Sequence, residues 1–180
     1  MFSLFNKLQF LGVFFWQSFD LFLAPEICPL CRKKRIVSSF LLCEECNAAL
    51  PFLSELRCCL CGSNREAFLQ ICNRCCEAGN FPWFRAVSAL PYKDEVREAI
   101  HRFKYQKEIY LANFFAHKMW LAWQEYSWPA KNDVIVPIPL HWSRFWQRGY
   151  NQAEVLAQII AENMNVPLKN AIVRKRKTAR

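Results

Sequence analysis

The sequence predicts a small cysteine-rich module followed by an α/β domain with a parallel sheet. Four Cys-x-x-Cys pairs fall within residues 28–75. After residue 82, short apolar runs alternate with longer segments of helical periodicity, which is typical of parallel strands joined by crossover helices. The segment 77–82 is rich in turn-forming residues and marks a boundary between the two. We therefore divide the chain into an N-terminal helix (1–24), a cysteine module (25–80) and an α/β domain (81–180).

Composition predicts a folded protein with a basic C-terminal part. The chain has 180 residues, of which 53% are hydrophobic and 16% aromatic, enough to bury a core. Its net charge is +9, from 24 basic and 15 acidic residues. Residues 144–180 alone hold eight basic and two acidic residues, a balance of +6. A concentration of positive charge of this kind favours contact with phosphate, nucleotide or nucleic acid.

The N-terminal segment contains the uncharged run 8–19. This run is too short to span a bilayer, which requires about 20 residues. Only Lys7 precedes it and Asp20 interrupts the apolar stretch, so a cleaved signal peptide is not expected. We expect an amphipathic helix that docks on the cysteine module or on a partner, in a cytoplasmic protein. Its many aromatic residues leave association with a membrane surface as the alternative.

The cysteine pairs have the spacing of zinc ribbons. Successive pairs are separated by 11, 11 and 10 residues, and two Cys-x-x-Cys turns supply the four thiolates of a tetrahedral zinc site. Disulfides, a redox pair and iron–sulfur ligation are the weaker alternatives. Spacing alone leaves open whether successive or alternate pairs share a metal. The sequence thus predicts two Zn²⁺ sites, with the ligands Cys28, Cys31, Cys43, Cys46, Cys58, Cys61, Cys72 and Cys75.

Two cysteines and one basic run in this module need separate interpretation. Cys59 and Cys76 are expected to pack beside the metal as small apolar groups. Because each adjoins a predicted ligand, either could replace that ligand in the second site. The basic run is expected at the tip of the first ribbon, as a solvated tip or as a nucleic-acid contact; it comprises Arg32, Lys33, Lys34 and Arg35.

The second domain is predicted to alternate strands and helices. Apolar residues at helical spacing predict three helices, whose aromatic residues we expect in the core. Short apolar runs that meet turn residues predict the strands. The expected order is strand 87–92, helix 94–103, helix 109–126, strand 133–136, helix 151–164 and a strand that begins at 172–173.

The segment between the fourth and fifth of these elements predicts an anion site. Two prolines end the strand, and a loop containing Arg144, Arg148 and Gly149 follows. Asn151 and Glu154 then have the spacing of a helix N-cap and its capping-box partner. Backbone N–H groups at a helix start, next to two guanidinium groups, favour a phosphate ligand.

These motifs resemble the signature of the ComF family. The resemblance rests on Pro-Ile-Pro-Leu at 137–140 and on Arg-x-x-x-Arg-Gly-Tyr-Asn-Gln at 144–152. It extends from about Leu23 to Arg180. It implies a double zinc ribbon with successive pairing, followed by a phosphoribosyltransferase-like domain, in a protein of DNA uptake. The same resemblance implies a pyrophosphate site formed by Arg144, Arg148, Gly149 and Asn151. Lys104 also matches a lysine of the family, with no role that we can derive.

One element that the resemblance implies is missing from this sequence. The main substrate loop of this fold follows two adjacent acidic residues and is rich in threonine and glycine. The chain has three aspartates, none adjacent, and four glycines, none clustered. We therefore expect a chain truncated at its C-terminus, which binds phosphoribosyl pyrophosphate or pyrophosphate weakly and is inactive as a transferase. Mg²⁺ is expected only in a full-length enzyme.

Three functions remain open from the sequence. The first is non-specific binding of single-stranded DNA, with proteins of the competence machinery as further partners. The second is phosphoribosyl transfer to an unknown acceptor, and the third is a purely structural role for the ribbons. For DNA binding, aromatic residues interleave with arginines in 142–150 and add base-stacking surfaces. The basic residues expected to contact DNA are the run at 32–35 together with Arg174, Lys175, Arg176 and Lys177.

Overall fold

The computed structural model describes residues 27–34, 36, 41–50, 57–63, 70–124 and 133–177. The N-terminal helix expected within 1–24 lies outside these residues. Among the described residues, none of the helices combines the length and the apolar character that a membrane span requires. The helices in this part of the chain are α1 (Glu44–Ala49), α2 (Asn73–Ala78), α3 (Asp94–Tyr105), α4 (Leu111–Gln124), α5 (Trp142–Arg148) and α6 (Gln152–Met164).

The three long helices match the periodic segments of the sequence. Helix α3 is amphipathic and buries Val96, Ala99 and Phe103, which recur at helical spacing. Acidic residues occupy its first turn and basic residues its last, an arrangement that complements the helix dipole. Helix α4 begins two residues later than predicted, at Leu111, and is described as far as Gln124.

Helices α4 and α6 pack against each other, and both contribute buried residues to the core. Helix α4 contributes Phe114 and Phe115, whose ring centroids are 5.2 Å apart. Helix α6 contributes Val155 and other small or aliphatic side chains. The aromatic residues of α4 that are buried therefore act as core residues, as the periodicity predicted.

The predicted parallel sheet is represented by a single bridge in the described residues. Ile135 pairs in parallel with Leu168. The Ile135 N–H donates to the Pro167 carbonyl at 2.9 Å, and its carbonyl accepts from the Lys169 N–H at 2.9 Å. Pairing stops there because Pro137, two residues later, has no N–H to donate. The 133–136 segment is thus extended, but it is not a strand of a sheet.

The other two predicted strands differ more. Residues 87–92 are irregular, and their neighbours bond to the cysteine module instead of to a strand. Residues 172–173 are also irregular, with Ile172 52% and Val173 78% exposed. Parallel strands need neighbouring strands, and within the described residues neither segment pairs with one. A phosphoribosyltransferase-like sheet is therefore not formed in this part of the chain.

The first cysteine ribbon and the helices share one core. Cys28 and Cys43 are buried together with Phe103 and Leu111 in the same cluster of contacts. Leu42, fully buried, belongs to it as well. The ribbon is thereby fixed to α3 and α4 through apolar packing, which positions the first four-cysteine group beside the helical domain.

Candidate metal centres and the adjoining basic surface

The structure brings the eight predicted ligands into two separate groups. Cys28, Cys31, Cys43 and Cys46 form one group, and within it all Sγ atoms lie within 4.8 Å of one another. The second group is formed in the same way by Cys58, Cys61, Cys72 and Cys75. Successive pairs therefore share a site, which resolves the pairing that spacing left open.

The sulfur geometry fits a tetrahedral metal ion. The Sγ atoms of Cys31 and Cys43 are 3.8 Å apart, and those of Cys61 and Cys72 are 3.7 Å apart. Four sulfurs at about 2.3 Å from a central zinc lie about 3.8 Å from one another. The two groups could therefore each hold a zinc ion.

Each ribbon is built from the same two local structures. The first pair of each group lies on a tight turn, in which the N–H four residues after the first cysteine donates to that cysteine's carbonyl. Arg32 donates to Cys28 at 2.9 Å, and Gly62 donates to Cys58 at 2.8 Å. The second pair of each group begins a short helix, with Cys43 as the N-cap residue of α1 and an equivalent cysteine before α2.

The turn requires a left-handed backbone at the residue four positions after its first cysteine. Gly62 has φ = +72° and Arg32 has φ = +59°, a region that costs a side-chain-bearing residue about 1–2 kcal/mol. In the second ribbon glycine adopts it freely. In the first ribbon the arginine side chain forms an ion pair with Glu108, which offsets part of that cost.

Backbone N–H groups favour thiolates in both groups. Burial disfavours the Cys58 thiolate, but N–H groups of Cys72, Cys61 and Leu60 outweigh burial and lower its pKa to about 6. Burial likewise opposes ionisation of Cys31, and surrounding N–H groups nevertheless lower its pKa to about 7. In contrast, burial followed by the neighbouring cysteines raises the pKa of Cys46. Several thiolates can coexist at such close range only with a cation between them.

The two additional cysteines lie outside both groups. Cys59 is half-buried and Cys76 is exposed, and neither belongs to a set of converging sulfur atoms. The Cys59 backbone instead contacts other segments: its carbonyl accepts from the Ala86 N–H at 3.2 Å. Neither cysteine is thus placed as a ligand, but the expectation that both pack as small apolar groups is wrong for Cys76, which is exposed.

A buried arginine joins the first ribbon to the helices. Arg102 on α3 is 2% exposed and donates to the carbonyls of Pro29 and Leu30, at 2.5 and 3.3 Å, within the first cysteine turn. Its Nη1 also lies 2.6 Å from a Glu108 carboxylate oxygen. Glu108 accepts in addition from the Tyr110 hydroxyl at 2.6 Å. This polar network was not anticipated from the sequence, although Arg102 lies on the buried face of α3 beside Phe103.

The predicted anion loop is instead a helix. Residues Trp142–Arg148 form α5, with His141 as its N-cap residue. Gly149 ends α5 in a left-handed conformation with φ = +85°, and its N–H donates to the Phe145 carbonyl. The loop assignment was wrong because short helices give weak periodicity. The glycine that follows Arg148 was a usable signal for the end of this helix.

Arg148 has protein partners on two sides. Its guanidinium donates to the Gln152 side chain at 3.0 Å and to the Tyr105 hydroxyl at 3.3 Å. The guanidinium carbon also lies 4.8 Å from the centroid of the Tyr105 ring. These contacts tie α5 and α6 to the C-terminal end of α3. Arg144 lies on the same short helix, half-buried.

The helix cap after Gly149 is confirmed. The Asn151 side chain accepts from the Ala153 N–H at 3.2 Å and caps α6. Glu154, the expected capping-box partner, accepts instead from the Asn170 side chain at 3.1 Å. The preceding Tyr150 is buried, and its hydroxyl donates to the Phe103 carbonyl. The α6 start is therefore held firmly against α3.

The predicted DNA-contacting residues lie in two regions, the first ribbon and the run 174–177. In the first ribbon, Arg32 pairs with Glu108 and Lys34 pairs with Glu45, while Lys33 is exposed. Arg35 lies outside the described residues. At the other end, the run 174–177 is irregular in structure: Lys175, Arg176 and Lys177 are exposed and Arg174 is half-buried.

Comparison with known proteins finds relatives of one kind. The chain is 29% identical over 155 residues to "Competence protein F" of Haemophilus influenzae, covering 82% of this chain and 65% of that protein. It is 30% identical over 141 residues to "DNA utilization protein YhgH" of Salmonella typhi, covering 76% and 61%. It is 28% identical over 143 residues to "Competence protein ComFC" of Bacillus subtilis, covering 79% and 48%. The chain thus spans less than two thirds of the length of these relatives. No family profile and no solved structure matches it.

Structure and comparisons together define the class of protein. Two four-cysteine groups precede a helical unit that contains the Pro-x-Pro and Arg-Gly-Tyr-Asn motif, so the class is one of cysteine-ribbon proteins with an appended helical unit. The similarities to Competence protein F, YhgH and ComFC support a ComF-like family for this chain.

Proposed function

We propose that this chain is a zinc-binding protein that handles single-stranded DNA during DNA uptake. Relatives named for competence and for DNA utilization support the biological setting. The two four-cysteine groups support two structural zinc ions, because all four positions of each tetrahedron are taken by protein ligands. In this proposal zinc folds the ribbons, and basic and aromatic surfaces contact the DNA.

Helix α5 supplies the observation that carries the DNA-binding proposal. Trp142 and Trp146 are 68% and 80% exposed, and their spacing of four places them on one face of the helix. Ile138, just before α5, is 68% exposed as well. Exposed aromatic rings stack on unpaired bases of any sequence. The basic run 174–177 would contribute contacts to the phosphates.

A salt series with a labelled oligothymidine tests this function. Each phosphate neutralised on a single strand adds roughly −0.7 to the slope of log affinity against log salt. Neutralising Arg174, Lys175, Arg176 and Lys177 should weaken binding and flatten that slope. A Trp146→Ala variant should weaken binding without changing the salt slope. Affinity that ignores salt and both changes would refute the proposal and favour a protein-docking role for the ribbons.

A second candidate is binding of pyrophosphate or phosphoribosyl pyrophosphate in a phosphoribosyltransferase-type fold, with transfer to an unknown acceptor. The capped start of α6, a helix of 13 residues, supports it, together with the adjacent Arg144 and Arg148. Mg²⁺ would take part only with substrate in a complete transferase site. Pyrophosphate affinity that is equal in the parent and in an Arg144→Ala, Arg148→Ala double variant would refute this candidate.

The proposed setting is the cytoplasm, with proteins of the competence machinery as further partners. Eight thiolates that bind zinc persist best in a reducing compartment. Cell fractionation checks this part of the proposal, since recovery of the protein with a secreted fraction would contradict it.

A further inference from the structure

An aromatic platform stands on the second ribbon. We define it as Phe81, Trp83 and Phe84 with the adjacent Arg85. Phe84 is 84% exposed and Trp83 47% exposed, and the rings of Phe81 and Trp83 have centroids 5.1 Å apart. Single exposed apolar residues are ordinary. Three aromatic residues within four positions of one irregular segment are not explained by core packing.

The platform is fixed to the ribbon by directed contacts. The Trp83 indole N–H donates to the Leu60 carbonyl at 2.7 Å, inside the Cys58-x-x-Cys61 turn. Farther along, Arg57 donates to the Ser88 carbonyl at 2.6 Å. Gly62 also lies so close to this segment that an added Cβ would be 2.6 Å from the Ser88 Oγ atom. The aromatic segment is therefore held against the second cysteine group on both sides of Phe84.

Positive charge accompanies the rings. The guanidinium carbon of Arg85 lies 5.9 Å from the centroid of the Phe84 ring, within the range of a cation–π contact. Arg57 lies at the base of the platform through its bond to Ser88. A polyanion with exposed aromatic bases complements both the rings and the positive charge, whereas an apolar protein surface would complement only the rings.

We propose that the platform is a second contact for single-stranded nucleic acid. An unpaired base stacks on the outer face of Phe84 beside Trp83, and Arg85 binds the adjoining phosphate. The inference rests on the proposed function and extends it, because it gives the second ribbon a binding surface of its own. Duplex DNA is not a ligand of the platform, since its bases are stacked and paired.

The test is fluorescence anisotropy with the full zinc-loaded chain and three probes of equal length. These are oligothymidine, the same oligomer with abasic sites and a DNA duplex. Phe84→Ala should weaken oligothymidine binding by roughly 5- to 160-fold, the range of one stacked base, with no change in the salt slope. Arg85→Gln should reduce the slope by roughly 0.7. Met119→Ala, which removes an exposed apolar side chain from α4, serves as the matched control and should bind like the parent.

Each outcome separates this inference from the proposed function. Phe84→Ala should bind the abasic oligomer and the duplex as the parent does, because the lost interaction is with a base. If Phe84→Ala binds oligothymidine within twofold of the parent, or weakens all three probes equally, the platform is refuted while DNA binding through α5 stands. If the parent fails to bind oligothymidine, both proposals fall. Zinc content, measured in every variant, should stay constant.

Discussion

Replacing Arg102 should destabilise the whole helical unit, because its guanidinium is buried between the first ribbon and α3. An Arg102→Met change keeps most of the apolar stem and removes the Glu108 ion pair and two bonds to carbonyls of the cysteine turn. Removing one partner of a buried ion pair costs about 3–5 kcal/mol. Because Glu108 keeps Arg32 and the Tyr110 hydroxyl as partners, we expect the lower end, about 3 kcal/mol.

Thermal unfolding measures this effect directly. At about 2–4 °C per kcal/mol for a chain of this size, Arg102→Met should lower Tm by about 6–12 °C. The exposed Arg97 on the same helix provides the control, since Arg97→Met should change stability by less than about 0.5 kcal/mol. Adding Glu108→Gln to Arg102→Met should recover part of the loss. A loss below about 1 kcal/mol in Arg102→Met would refute the interpretation of Arg102 as a structural link.

Three further predictions concern the ribbons and the start of α6. Purified protein should contain about two zinc ions per chain; Cys61→Ser should lose one of them, whereas Cys59→Ser should keep both by metal analysis. Gly62→Ala should cost at least about 1–2 kcal/mol from its left-handed backbone, with a further cost from Ser88, and a chelator should then remove zinc from the second ribbon before the first. Burial raises the pKa of the Tyr150 hydroxyl to about 12. The stability that this hydroxyl confers should therefore be complete below about pH 10 and be lost as the pH rises through 12. In denaturation curves, Tyr150→Phe should not show that loss.

Features of short sequence range were predictable. A Cys-x-x-Cys turn brings two sulfurs together through the backbone of four residues, so ligand identity could be read from spacing. The long helices were predictable from apolar periodicity, and their described ends lie within two residues of the predicted ones. The predicted C-terminal end of the second helix, at residue 126, lies outside the described residues. The Asn151 cap was also predictable, because the bond it makes spans only two residues.

Features that depend on distant partners were not predictable. The 87–92 segment has the composition of a strand, yet the backbone beside it bonds to the cysteine turn around Cys59. Arg102 has the sequence context of any basic residue on a helix, and its carbonyl acceptor at Pro29 is 73 positions away. The grouping of the cysteine pairs likewise depended on tertiary contacts, which is why spacing could not decide it.

The two ribbons pack to different extents against the helices, and this difference has a consequence for how the protein unfolds. Cys28 and Cys43 are part of the same apolar cluster as Phe103 and Phe114, so the first ribbon and the helices form one cooperative unit. The second ribbon buries Cys58 and Cys75, and among the described residues it is held by hydrogen bonds to segment 83–88. Oxidants or chelators that reach the second site should therefore open a local region whose amides exchange early, while loss of the first metal opens the helical core with it.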